Sequence, residues 1–129
     1  MIKQEKMTFH SEHILQVQCV SWFRLAYSSK LMFAIPNGGA RHVAVGAKLK
    51  KEGVLAGVPD LFIAEPNKHY NGLFIELKNG NKGRVNEKQK KLIEQLNIRG
   101  YKTSVVRYFD DFVEVVNSYF SGVIKHEVL

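Results

Sequence analysis

A chain of 129 residues has room for one hydrophobic core and not for two domains of ordinary size. With 45% hydrophobic and 24% charged residues, it has the composition of a globular protein, which excludes a disordered or fibrous chain. Nineteen Lys and Arg against twelve Asp and Glu give a formal charge of +7, which favours a polyanionic partner such as nucleic acid or an anionic membrane surface.

The first residues, Met1 to Lys6, carry basic side chains with no apolar stretch behind them, so no secretory signal is expected. No segment is apolar over the roughly 18 residues needed to cross a bilayer. The single cysteine, Cys19, cannot form an intrachain disulfide and lies in a helical apolar pattern, where a buried small hydrophobe is expected. The cytoplasm is the expected compartment.

There is no internal repeat, low-complexity tract or Pro/Ser-rich linker. Residues 1–10 read as a loose arm, 11–121 as one domain and 122–129 as a tail. Ser11 is placed to cap a helix running to about Tyr27, with so much apolar surface (Ile14, Leu15, Val17, Val20, Trp22, Phe23, Ala26) that the helix is expected to be well buried. Leu31 to Ile35 reads as a strand that stops at the turn signal Pro36-Asn37-Gly38-Gly39. Arg41 to Glu52 is helix-compatible and ends at Gly53. Asp60 to Ala64 reads as a strand, Glu65 to Asn71 as a hairpin loop, and Gly72 to Lys78 as the returning strand. After the loop Asn79 to Gly83, Asn86 caps a helix that reaches Arg99 and stops at Gly100. Lys102 to Tyr108 is then a strand and Asp110 to Phe120 a closing helix. This order predicts a layered α/β domain with helices on a mixed sheet.

The hairpin brings chemistry together. A loop centred near Lys68 pairs Ala64 with Gly72 and, in step, Asp60 with Glu76, so that both carboxylates share one face with Cβ atoms about 4.5–5.5 Å apart. Lys78, two residues beyond Glu76, falls on that face as well. Two carboxylates offer hard oxygen ligands, and no His or Cys is placed to join them, a set that suits Mg²⁺ or Mn²⁺ rather than zinc. Such a site serves phosphodiester hydrolysis, with Lys78 positioning the attacking water or offsetting charge in the transition state. An Asp-Glu-Lys trio on a strand is also commonly a cross-strand charge pair. Glu76 and Lys78, however, interrupt an otherwise apolar strand, and charges at the ends of buried strands need compensation that a metal supplies.

Pro59-Asp60 followed by Glu76-Leu77-Lys78 resembles the PD-(D/E)xK nuclease motif. The ordered set Pro36-Asn37-Gly38-Gly39, Gly57-Val58-Pro59-Asp60, Gly72 to Lys78, Lys82-Gly83-Arg84 and Gln89 resembles a VRR-NUC domain over about Ser11 to Phe120. The resemblance implies a restriction-endonuclease-like core. It implies that Asp60, Glu76 and the Leu77 backbone carbonyl bind the metal and that Lys78 assists catalysis. It also implies that Glu12 contributes to a second metal or holds a water, and that Gln89 lines the active site. Asn86 stands where relatives often carry Ser or Thr, all good helix caps. For stand-alone members it implies homodimers that cut branched DNA, notably four-way (Holliday) junctions, as in DNA repair; two sites about a two-fold axis suit a two-fold substrate.

Several of these residues have a second reading. Glu12 in a first helical turn also favours the helix dipole, and Gln89, three residues after Asn86, also completes a capping box. Asn37 and Arg41, with His42, read either as a backbone-rich phosphate contact or as part of a tight turn. Lys82, Arg84, Lys88, Lys90 and Lys91 read as a phosphate-tracking surface beside the catalytic strand or as a solvated face. His10, His13, His42, His69 and His126 have no metal-binding spacing. The expected activity is that of a metal-dependent DNA endonuclease. The alternatives are a monomeric enzyme acting on flaps, single strands or restriction-like sites, and an inert DNA-binding module.

Overall fold

The computed structural model describes residues 11–36 and 43–122. In chain order these form α1 (Ser11–Ala26), β1 (Met32–Ala34), α2 (Val43–Lys51), β2 (Leu61–Ile63), β3 (Leu73–Leu77), α3 (Glu87–Ile98), β4 (Lys102–Val106) and α4 (Phe109–Ser121). The four strands make one sheet in the order β1-β2-β3-β4. β1 and β3 both run antiparallel to β2, while β4 runs parallel to β3. A parallel step needs a crossover, and α3 makes it, packing against β4. The expected elements are present and in the expected order. The strands are shorter at their ends, leaving Asp60 and Lys78 just outside the ladders.

Alternation divides the sheet into two unlike faces. On one, Leu61, Ile63, Leu73, Ile75, Leu77 and Val106 are buried against α1 and α4. α1 contributes Leu15, Cys19 and Phe23, spaced four apart so that they form one stripe, and α4 contributes Phe112, Val116 and Tyr119. The expectation that α1 is well buried is met on one face only: Val17 is 51% and Leu25 86% exposed. Those two lie off the 15-19-23 stripe, and the sheet and α4 cover only one side of the helix. Cys19 is buried in this core, as expected, and burial pushes its thiol up to about 12.

The other face carries Phe62 stacked on Phe74, with ring centroids 4.3 Å apart, and further along β3 it carries Glu76. Gly72 makes the stacking possible, since a Cβ there would stand 2.8 Å from Phe62 Cε1 and 3.1 Å from the Ile63 carbonyl oxygen.

The hairpin register is Leu61 with Ile75, Phe62 with Phe74 and Ile63 with Leu73. Its loop is pinned to α4. Asn67 Oδ1 accepts from the backbone N–H groups of His69 and Tyr70, its Nδ2 donates to the Tyr119 carbonyl, and Tyr119 O–H donates to the Glu65 carbonyl at 2.6 Å. A slip of one residue would turn every side chain of β3 to the wrong face, so this loop protects the position of Glu76.

Candidate active site

Continued by one step, the β2–β3 register sets Asp60 opposite Glu76, the pairing that the loop centre predicts. Asp60 Oδ2 accepts from the Leu77 N–H at 2.7 Å, filling with a side chain the place where the next rung of the ladder would be. The Asp60 carbonyl still accepts from the Ile35 N–H at 2.8 Å, so the residue is held on both sides. A strand residue sends its N–H and C=O to the same side, and the Leu77 carbonyl therefore also leaves toward the Asp60 side of β3.

Glu76 is only 5% exposed. Its Oε2 meets Lys78 Nζ at 3.1 Å and accepts from Gln89 Nε2 at 2.7 Å. Gln89 Oε1 in turn accepts from Lys78 Nζ at 3.2 Å and from the Asn86 N–H at 3.0 Å. Asn86 Oδ1 completes a capping box by accepting from the Gln89 N–H at 2.9 Å. The two readings of Gln89 are thus one arrangement: the cap of α3 fixes the amide, and the fixed amide reaches both Glu76 and Lys78.

Burial raises the Glu76 carboxyl to about 7, and the nearby Asp60 charge adds to the shift against the opposing pull of Lys78 and Gln89. Asp60 is also raised, first by burial, although the Leu77 N–H, Lys78 and a hydrogen bond with Glu76 pull the other way. The carboxyls titrate as a pair, and one ammonium does not satisfy two anions, of which Glu76 is buried and Asp60 half-buried. This shortage of positive charge, with hard oxygen donors on one sheet face, fits a divalent cation.

Other expected residues fall elsewhere. Glu12 is exposed in the first turn of α1. Among the described residues no three His, Cys, Asp or Glu side chains converge to hold a metal ion, so Glu12 is not brought to Asp60 and Glu76 as a third acid. Lys82, Arg84 and Lys88 are exposed on the segment that leads into and begins α3, downstream of the site strand. Asn37 and Arg41 lie outside the described residues.

The VRR-NUC domain family matches residues 3–109. The chain belongs to this family. It is accordingly a nuclease domain with DNA as its substrate class. A solved VRR-NUC domain protein is 27% identical and superposes with a TM-score of 0.72, covering 89% of this chain and 96% of its own. A second solved VRR-NUC domain, at 20% identity and a TM-score of 0.59, covers 84% of this chain and 96% of its own and supports the fold. No curated protein sequence matches. The mixed sheet flanked by helices is the restriction-endonuclease-like core that the resemblance implies. Among the described residues no helix of this VRR-NUC domain is long and apolar enough to cross a membrane.

One residue at the site gave little signal in the sequence. Arg107 follows β4 and donates from Nη1 to the carbonyls of Gly80, Lys82 and Gly83 at 3.1, 2.9 and 2.9 Å. The available clue was a cation ending the apolar run Val105-Val106, the same pattern as Lys78 ending β3.

Proposed function

We propose that this VRR-NUC domain is a divalent-metal-dependent endonuclease that hydrolyses DNA phosphodiesters, acting as a homodimer on branched DNA such as four-way junctions. The observation that carries the reading is the pairing of half-buried Asp60 with buried Glu76, with Lys78 Nζ 3.1 Å from Glu76. A charge-pair explanation would leave a net negative charge buried, which is costly. Asp60, Glu76 and the Leu77 carbonyl are the groups that would hold Mg²⁺ or Mn²⁺. Such a cation, when bound, polarises the phosphoryl oxygen and lowers the pKa of an attacking water.

The chain's own groups have separate tasks. The Leu77 N–H holds Asp60 in place, and Gln89 orients the Glu76 carboxylate. Lys78, between Glu76 and Gln89, is placed to position a water or to offset charge on the phosphoryl group in the transition state. The exposed cations Lys82, Arg84 and Lys88 supply phosphate contacts that position DNA without reading its sequence. The preference for a junction rests on the symmetry argument that two sites about a two-fold axis match two equivalent strands.

Labelled four-way junctions, flaps, single strands and linear duplexes, each titrated with Mg²⁺ and Mn²⁺ alongside a measurement of solution mass, test the proposal. Preferred junction cutting by a dimer is the expected result. Cutting of flaps or linear DNA by a monomer would replace the substrate assignment, and no cutting of any DNA would leave a binding module.

A further inference from the structure

The staple made by Arg107 lies beside the catalytic strand. β3 and β4 pair Leu77 with Val106, and the next step sets Lys78 level with Arg107, both on the face that carries Glu76. The ladder continues this far, since the Lys78 N–H donates to the Val106 carbonyl at 2.9 Å. The stapled loop also lies against Lys78: a Cβ on Gly83 would stand 3.4 Å from Lys78 Cδ. A turn in which the Lys82 N–H donates to the Asn79 carbonyl at 2.7 Å, with Gly80 and Gly83 at φ 52° and 74°, points three carbonyls at one guanidinium nitrogen.

Those acceptors are neutral, so the three bonds orient Arg107 without cancelling its charge. They also engage Nη1 alone, and Nε and Nη2 of the planar fork take no part in them. An arginine held by one arm, partly exposed and next to Lys78, is pre-organised for an anion with paired oxygens. We propose that Arg107 is a DNA-phosphate ligand of this site, seating the backbone phosphate that neighbours the scissile one. The inference rests on the nuclease reading above.

The test is the salt dependence of binding to a labelled four-way junction, with Ca²⁺ in place of Mg²⁺, for the wild type, Arg107→Gln and Arg107→Lys. Glutamine removes the charge and keeps a polar amide, whereas lysine keeps the charge. A lost phosphate contact lowers the slope of log K against log salt by about 0.9. Over a fourfold rise in salt, the wild type should therefore lose about 3–4-fold more affinity than Arg107→Gln, with Arg107→Lys behaving like the wild type. Equal slopes for the wild type and Arg107→Gln, or equally reduced slopes for both variants, would show a loop staple only and overturn the inference while leaving the nuclease reading intact. A wild type that binds no DNA at any salt would bring down both.

Discussion

Gln89 Nε2 donates to Glu76 Oε2 at 2.7 Å, from a side chain whose other end, Oε1, is anchored to the first backbone N–H of the α3 cap. A helix-capping device thus orients a carboxylate on a neighbouring strand. Removing the cap should therefore affect both stability and catalysis. Asn86→Ala is expected to cost about 1 kcal/mol of folding stability, as lost caps do. It should also lower kcat: the Asn86 N–H that holds Gln89 Oε1 remains in the variant, but without the side-chain cap the first turn of α3, which carries Gln89, frays. Asn86→Ser, another good cap, should keep both properties close to wild type. Urea unfolding and steady-state cleavage of the same three proteins check this, and an Asn86→Ala variant with normal kcat would separate cap from site.

Asp60→Ala and Lys78→Ala should abolish cutting, by at least the roughly 10²–10³-fold typical of losing one transition-state contact, while the fold itself is retained. Neither side chain belongs to the apolar core on the opposite face. Single-turnover cleavage together with circular dichroism is the check. Normal cutting by either variant would remove that residue from the mechanism.

The metal-free protein should respond to pH through Glu76. Its carboxyl moves from 4.5 in an unperturbed setting to about 7 in the folded chain, so the native state holds the proton more tightly than the unfolded state does. The resulting stability is fully present below about pH 4.5 and is lost as the pH rises to about 7; Asp60, also raised, contributes in the same direction. Urea midpoints measured in a chelator should fall across that window in the wild type and be flatter in Glu76→Gln. Parallel profiles would falsify the assignment of the shift to Glu76.

Mg²⁺ or Mn²⁺ should stabilise the fold by mass action, by about 2.7 kcal/mol at a concentration one hundred times Kd. Thermal melts with and without chelator measure this directly. Asp60→Asn and Glu76→Gln should lose most of the increment, and an equal shift in all three proteins would place the binding elsewhere.

Gly72→Ala tests the aromatic support beneath the site. The added methyl would meet Phe62 Cε1 at 2.8 Å, and the Ile63 carbonyl at 3.1 Å leaves little room on the other side. A loss of about 1–3 kcal/mol is expected, as for other overpacked positions. Calorimetry of the variant is the measurement, and a change below a few tenths of a kcal/mol would mean that the Phe62–Phe74 stack adjusts freely.

The sequence by itself determined the order of elements, the hairpin register and the identity of the acidic pair. These follow from local rules: short apolar runs at Leu61 to Ile63 and Leu73 to Leu77 bounded by turn residues, a loop whose midpoint sets the partners, and a cap at Asn86. Tertiary structure decided what depends on elements far apart in the chain. Only packing shows that Val17 and Leu25 remain outside the core, because helix periodicity says which residues share a stripe and not how wide a surface the neighbours cover. Only the approach of α3 to β3 lets Gln89 serve cap and carboxylate together, and only the parallel placement of β4 brings Arg107 level with Lys78. Hydrogen bonds between residues 11 to 27 positions apart depend on how the elements dock, and local spacing carries no record of that.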